Sequence, residues 1–326
     1  MKVAELENDI LVVKTRENET LNGRTGSIVK VLGCGLCGSD IVKLKQHLVK
    51  NGTVLGHEIV AQIVEINSAT NFKVDDVIVT SHHIPCGKCE YCKNGNVSMC
   101  RHFKETNIRP GGFSELVYVS EEHLQNVAYL KPQNLTNIEA SFYEPLGCCV
   151  RAVKRAGLKE NSTALVIGLG SVGILMAQAL KAFGMNVIGC DLISSRVELL
   201  KNLGIEAFRV PEMCDSIKAD GVFMTSGADK AIDTALKFVR DGGKILVFSS
   251  TPNNFGYANN EIYYRELTVL GSYSPSPADL RDSLNLLANK EVKVQGLSTE
   301  YPLEKVQKSI NDTVENKIMK AYIKIN

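Results

Sequence analysis

The stretch "STALVIGLGSVGILMAQALKAFGMNVIGCD", residues 162–191, does most to limit the fold. An apolar run ends in glycines, an apolar helical pattern follows, and a second β-type run ends in an acid. Strand-like runs at 164–168, 187–191, 206–210, 220–225, 244–248 and 267–271 alternate with helical stretches at 172–182, 194–203 and 229–239. Such alternation predicts a parallel, doubly wound sheet. Gly168, Gly170 and Gly173 spell G-x-G-x-x-G, with Ser171 and Val172 opening the helix inside the motif. Placed between a strand and a helix, the first glycine makes the tight turn and the second admits a pyrophosphate. The third lets helix and strand pack closely, and the helix N-terminus favours the negative charge. Asp191 ends the next strand, 18 residues after Gly173. An acid there accepts hydrogen bonds from two ribose hydroxyls and repels a 2′-phosphate, so NAD is the expected cofactor. Ser194, Ser195 and Arg196 keep NADP as the alternative.

The first 145 residues have another texture. Short β-type runs ("ILVVK", "GSIVKVL", "IVAQIVEI", "DDVIVTS", "SELVYV") are separated by turn residues, which predicts an antiparallel, barrel-like domain. After residue 272, a helix at about 277–289 and short strands close the chain. No internal repeat or low-complexity segment interrupts this plan.

Inside the first domain, "CGKCEYCKNGNVSMC" places Cys86, Cys89, Cys92 and Cys100 as C-x2-C-x2-C-x7-C. The N-terminus lacks the apolar core of a signal peptide, so a cytoplasmic, reducing setting is expected and structural disulfides are disfavoured. A ferredoxin-type cluster needs a last gap of three residues and a following proline; here Arg101 follows a gap of seven. Four thiolates with no open position suit a structural zinc. The lobe is then a brace, and the chemistry lies elsewhere.

Net charge is +1, with 44% hydrophobic and 22% charged residues. Nothing in that balance points to nucleic acid or an anionic membrane, and no run of apolar residues is long enough to span a bilayer.

"GLCGSD" with Cys37 and Ser39, "GHE" with His57 and Glu58, and "EPLGC" with Glu144 complete a pattern. Together with "CGKCEYC", "GGFSELV" and "GLGSVG", they make the chain resemble the zinc-dependent medium-chain dehydrogenases over essentially its whole length. That family includes alcohol, sorbitol and threonine dehydrogenases. The resemblance implies an α/β molecule with three parts. Residues 1–145 form a GroES-like β-barrel catalytic domain carrying the zinc lobe (86–100). Residues 146–272 form a Rossmann nucleotide domain, and residues 273–326 return to complete the catalytic domain. It implies two zinc ions per chain. The catalytic one is held by Cys37, His57 and Glu144, with Glu58 as a further candidate; the structural one is held by Cys86, Cys89, Cys92 and Cys100. Ser39 takes the alcohol proton, and also reads as an N-cap for a helix from about residue 40. The expected reaction passes hydride between a small-molecule alcohol and NAD, in an interdomain cleft of a homodimer or homotetramer.

The chain departs from its relatives in three places. Val42 stands where many relatives continue the proton relay with a histidine. The stretch from Cys37 to His57 is short. "GSYSPSP" (271–277) lacks the arginine that sorbitol dehydrogenases carry there. His47 is an exposed, weak substitute for the missing histidine, and His82 and His83 read as loop residues outside both zinc shells. Cys34, Cys148, Cys149, Cys190 and Cys214 read as packing residues, with Cys148 and Cys149 near the nicotinamide. The rival readings are an NADP-linked carbonyl reductase and a non-catalytic dinucleotide-binding redox sensor.

Overall fold

The structure is a computed structural model that describes residues 1–250 and 259–326. The chain opens with strands β1 (Lys2–Glu7), β2 (Ile10–Thr15) and β3 (Gly26–Gly35), helix α1 (Gly38–Lys45), and strands β4 (Glu58–Asn67) and β5 (Val77–Thr80). The cysteine lobe carries two short helices, α2 (Glu90–Lys93) and α3 (Arg101–Glu105). Then come β6 (Leu116–Ser120), α4 (Glu121–Asn126), β7 (Ala128–Leu130), α5 (Asn137–Ser141) and α6 (Tyr143–Ala156). An alternating series follows: β8 (Thr163–Ile167), α7 (Ser171–Ala182), β9 (Asn186–Asp191), α8 (Ser194–Asn202), β10 (Glu206–Arg209), β11 (Ala219–Met224), α9 (Ala231–Phe238) and β12 (Val239–Val247). The last elements are α10 (Asn259–Tyr264), β13 (Thr268–Gly271), α11 (Pro277–Ala288), β14 (Thr299–Pro302), α12 (Val306–Val314) and β15 (Ala321–Lys324).

Two compact units emerge. The first holds Met1–Pro145, Ser276–Ala288 and Val294–Asn326; the second holds Leu146–Pro275 and Asn289–Lys293. In the first unit, seven strands pair in the order β14-β15-β3-β4-β5-β7, with β6 also on β3. All these pairings are antiparallel except β14 with β15. Strand β3 organises the sheet. Its Gly26–Lys30 half pairs with β6, its Gly33–Gly35 end pairs with β15, and β4 runs along it with two register shifts. Such irregularities bend a strand and let the sheet curl. Val29, Val31, Ile59, Ala61, Ile63, Ile78, Val117 and Val119 are fully buried between the layers. Each large aliphatic among them contributes about 1.5–3 kcal/mol.

Three positions matter for the site. Gly35 of β3 pairs with Glu58 of β4, so Cys37 and His57, just beyond the strand ends, become neighbours. Tyr322 of β15 pairs with Gly35, which brings Lys320 to the same corner. Ile59 pairs with Thr80 of β5, which brings His82 there too.

The second unit is a six-stranded parallel sheet in the order β10-β9-β8-β11-β12-β13. Strand order reverses between β8 and β11, and ligands bind beyond the carboxyl ends of strands at such a point. Helix α7 is buried from Gly173 to Leu180, as expected for a mostly apolar helix covering a sheet, and the one polar side chain in that stretch, Gln178, bonds the Lys293 backbone. Strand β12 starts at Val239, five residues before the expected start. The pairing with β11 shifts register there, from Ala219↔Val239 to Gly221↔Lys244, so two glycines and an aspartate ride inside the strand. The expected helix start near residue 40 also moves: α1 begins at Gly38 with Cys37 as its N-cap, so Ser39 is an exposed first-turn residue and not the cap.

Candidate functional site

In the lobe, the sulfurs of Cys86, Cys89, Cys92 and Cys100 lie within 4.8 Å of one another. All ten cysteines are free thiols. Gly87 and Gly95 turn the chain between them with φ of 70° and 76°. Burial works against ionisation of Cys100, yet N–H groups of Cys86 and Phe103 aimed at its sulfur pull the thiol down to about 6. Burial and the neighbouring thiols push Cys92 up to about 12. Four sulfurs this close cannot all ionise alone, and a soft divalent cation removes the conflict.

The second donor group is Cys37, His57 and Glu58, whose ligand atoms also lie within 4.8 Å of one another. His57 and Glu58 are buried and Cys37 is half-buried. Asp40 holds the arrangement from behind. Its Oδ2 accepts from the Cys37 N–H at 3.3 Å, and its Oδ1 stands 3.4 Å from His57 Nδ1. The second distance is an electrostatic contact and not a formed hydrogen bond, since Oδ1 has no hydrogen-bond partner. Burial would lower the basicity of His57, but the charges of Asp40 and Cys37 outweigh it and raise the imidazole well above its usual range. Burial likewise opposes ionisation of Asp40, and the charge on His57 keeps that carboxyl below its usual range. The corner thus favours positive charge, which a divalent ion held by Cys37 and His57 would supply, with the Asp40 carboxylate orienting the ring.

Glu58 is tied on its far side by Lys320. The ammonium donates to Oε1 at 2.9 Å and to the Leu36 carbonyl at 3.0 Å. Oε2 lies 2.6 Å from the same nitrogen but off the hydrogen-bond direction, and it retains no hydrogen-bond partner. A Cβ on Gly35 would sit 1.9 Å from that oxygen, so only glycine fits opposite Glu58. Burial lowers the proton affinity of Lys320, yet Glu58, Cys37 and Glu144 raise it above the usual lysine value. Glu144 is buried in the first turn of α6 and belongs to the same unit, but it is not part of the tight donor group.

Sequence reasoning missed Lys320 and misplaced His82. No motif marks Lys320; only the β15–β3 register brings it to Glu58. His82 and His83 do lie on a loop, but His82 is buried with its ring 4.4 Å from that of His57, and its Nδ1 has no partner. His47 is exposed and paired with Asp9 at 2.8 Å. Cys34, Cys149 and Cys190 are buried, as packing residues should be, and Cys148 is half-buried. Cys214 corrects the packing expectation: it is exposed, its thiol 2.9 Å from Ser216 Oγ.

In the second unit the glycine turn follows β8. Gly168 has φ 92°, and a Cβ there would meet Ser226 at 2.7 Å. A Cβ on Gly173 would lie 1.9 Å from the Gly168 carbonyl, whereas nothing stands within 4 Å of one on Gly170, the N-cap of α7. The open position is the middle one, where a pyrophosphate approaches. Ser171 and Val172 open the helix beside it. Asp191 braces the turn: Oδ2 accepts from Leu169 N–H at 2.6 Å and Oδ1 from Ile193 N–H at 2.9 Å. Arg196 stands 3.6 Å from Oδ2. Thr225, which the sequence did not flag, donates to the Gly168 carbonyl at 2.6 Å.

Comparison with known proteins matches this arrangement. The alcohol dehydrogenase GroES-like domain covers residues 23–129, and the zinc-binding dehydrogenase domain covers residues 171–289. The D-arabitol-phosphate dehydrogenase of Enterococcus avium is 30% identical, covering 92% of this chain and 90% of its own. A sorbitol dehydrogenase of Halalkalibacterium halodurans is 31% identical over 90% of both chains. A zinc-binding dehydrogenase from Sinorhizobium meliloti, solved with NADP, superposes with a TM-score of 0.87 at 25% identity, covering 99% of this chain and 98% of that one. The chain belongs to the zinc-dependent medium-chain alcohol and polyol dehydrogenase family. It is a dehydrogenase that interconverts alcohol and carbonyl groups with zinc and a nicotinamide cofactor. Among the described residues, no helix is long and apolar enough to cross a membrane.

Proposed function

We propose that this enzyme oxidises a secondary alcohol of a polyol, sugar or cyclitol to the ketone, with NAD as acceptor. The observation that carries the reading is the Cys37–His57–Glu58 donor group, in a chain that also has a glycine turn braced by Asp191. A zinc ion held there would lower the pKa of the alcohol oxygen, and a nicotinamide cofactor would supply the hydride acceptor. Every other task falls to this chain. Cys37 and His57 hold the ion, and Glu58 or the nearby Glu144 completes the shell. Asp40 sets the ring of His57, while Lys320 decides how firmly Glu58 is held back. Ser39, exposed in the first turn of α1, receives the alcohol proton at Oγ. With Val42 in the histidine position and His47 committed to Asp9, that proton leaves to solvent. The four-cysteine lobe holds the second zinc.

Asp191 favours NAD because its carboxylate stands where a 2′-phosphate would go. Arg196 at 3.6 Å and the NADP-bound relative favour the NADP-linked reductase as the second reading. Among the described residues β13 ends the sheet with one side unpaired, which suits the expected homodimer or homotetramer.

The test is zinc content per chain, measured on wild type and Cys37→Ser, with NADH and NADPH formation followed over a panel of alcohols and polyols. Two zinc ions falling to one, with NADH formation lost and the fold kept, is the expected result. One zinc that the substitution leaves unchanged overturns the reading.

A further inference from the structure

The two donor groups are joined by a row of rings within the first unit. Phe103 lies in α3, which Cys100 caps, and its N–H points at the Cys100 sulfur. The Phe103 ring is 4.8 Å from that of His83; His83 is 3.8 Å from His82; His82 is 4.4 Å from His57. The row is clamped at both sides. His83 Nδ1–H donates to the Thr106 carbonyl at 2.6 Å, and the Ile84 N–H donates to Thr106 Oγ1 at 2.9 Å. His123 Nε2–H donates to the His82 carbonyl at 3.1 Å, while Ser120 lies 2.7 Å from its other nitrogen. Thr106 directly follows α3, so one end of the row is fastened to the segment that leaves the lobe.

Plain packing accounts poorly for this row. The buried, unpartnered Nδ1 of His82 costs about 1–3 kcal/mol that an apolar side chain would not. A flat, neutral ring does give a binding face to a neighbouring imidazole made electron-poor by a bound cation.

We propose that His82 and His83 are positioning residues, whose rings, in contact at tilts of 40°, carry the placement of the four-cysteine lobe to His57 and so link the two metal sites. The proposal rests on the reading above that Cys37, His57 and Glu58 hold an ion. Partners behind a metal ligand are worth about 10- to 100-fold in metal affinity. Linkage is reciprocal, so an ion at His57 also steadies the lobe.

The experiment uses the full-length zinc-loaded enzyme and follows zinc transfer to a chromogenic chelator. Cys37→Ser identifies the kinetic phase that belongs to the open site. Cobalt exchanged into that site adds a visible spectrum that reports ligand geometry. His83→Ala is expected to speed the open-site phase about tenfold and shift the cobalt bands, and by reciprocity to speed the lobe phase as well. His83→Phe, which keeps the ring and drops the Thr106 bond, should restore all three. If the alanine variant does not fold, His83→Leu refills the volume without a ring and serves the same comparison. Open-site release and cobalt bands at wild-type values in the ringless variant overturn the proposal, as does a phenylalanine variant that behaves like the ringless one. A wild type with a single zinc instead overturns the functional reading itself, so the two failures are distinct.

Discussion

Beyond β8, the turn is built mainly from backbone: the amides at the start of α7, a middle glycine with open space, and one carboxylate behind them. At the Cys37 corner the donors are side chains from two strands at one end of their pairing, with a lysine 262 residues away from Glu58 closing the back. The first arrangement has its geometry built into consecutive residues. The second exists only when β3, β4, β5 and β15 are all in register. A substitution should therefore do graded harm at the turn and severe harm at the corner.

The largest effect is expected from Cys37→Ser. Losing one ligand of a bound ion forfeits about 4 kcal/mol of transition-state stabilisation, or about 1000-fold in kcat/KM. Circular dichroism should stay unchanged, because the core of the first unit does not depend on that thiol. A variant that keeps wild-type turnover would place the chemistry elsewhere.

Lys320→Met should break the corner from behind. It strands the Glu58 carboxylate in a buried setting, at a cost of about 4 kcal/mol in denaturant unfolding. Adding Glu58→Gln should recover most of that loss, because the neutral pair leaves no uncompensated charge. A double variant as unstable as Lys320→Met alone would show that the lysine acts through packing on Phe142, 5.6 Å away, and not through Glu58.

Next comes acid sensitivity. Burial, only partly opposed by the bond to the Thr106 carbonyl, holds His83 down to about 4 in the folded chain, against 6.5 when exposed. Between those values the unfolded chain binds more protons, so folded-state stability falls as pH drops from about 6.5 to about 4, by about 3 kcal/mol in total. His83→Phe should lose that share of the acid dependence while keeping the ring. Equal acid slopes for wild type and variant, measured by urea midpoints, would remove His83 as the cause.

What could be read in advance divides along the same line. The lobe and the glycine turn are written in contiguous spacing, so C-x2-C-x2-C-x7-C and G-x-G-x-x-G located both. Period-two and period-3.6 patterning found the strands of the second unit to within a residue or two, except β12, where a register shift hides inside the glycine pair. Cys37, His57 and Glu58 came into view only through resemblance, since no spacing rule joins them. Lys320 and His82 were out of reach because both are placed by strand register, which hydrophobic patterning does not encode residue by residue. Cap chemistry misled at Ser39: the cap is Cys37, with Asp40 completing the box from the third helical position.

The smallest effect should come at Asp191, whose carboxylate braces the turn. Its oxygens hold the Leu169 and Ile193 amides, and Arg196 stands close by. Asp191→Ala leaves the buried Leu169 amide without its acceptor and the Ile193 amide to water, and it removes the negative charge beside Arg196 that opposes a 2′-phosphate. The backbone of the turn, with Thr225 on the Gly168 carbonyl, remains. One hydrogen-bonding partner is worth about 1.5 kcal/mol, so the ratio of kcat/KM for NAD over NADP should fall about tenfold, mostly through KM. Turnover at saturating NAD should stay within a factor of about two, because the pyrophosphate still meets the same amides. A collapse in kcat would mean that this carboxylate holds the turn together as Asp40 holds the corner, and the contrast between a backbone-built and a side-chain-built site would no longer stand.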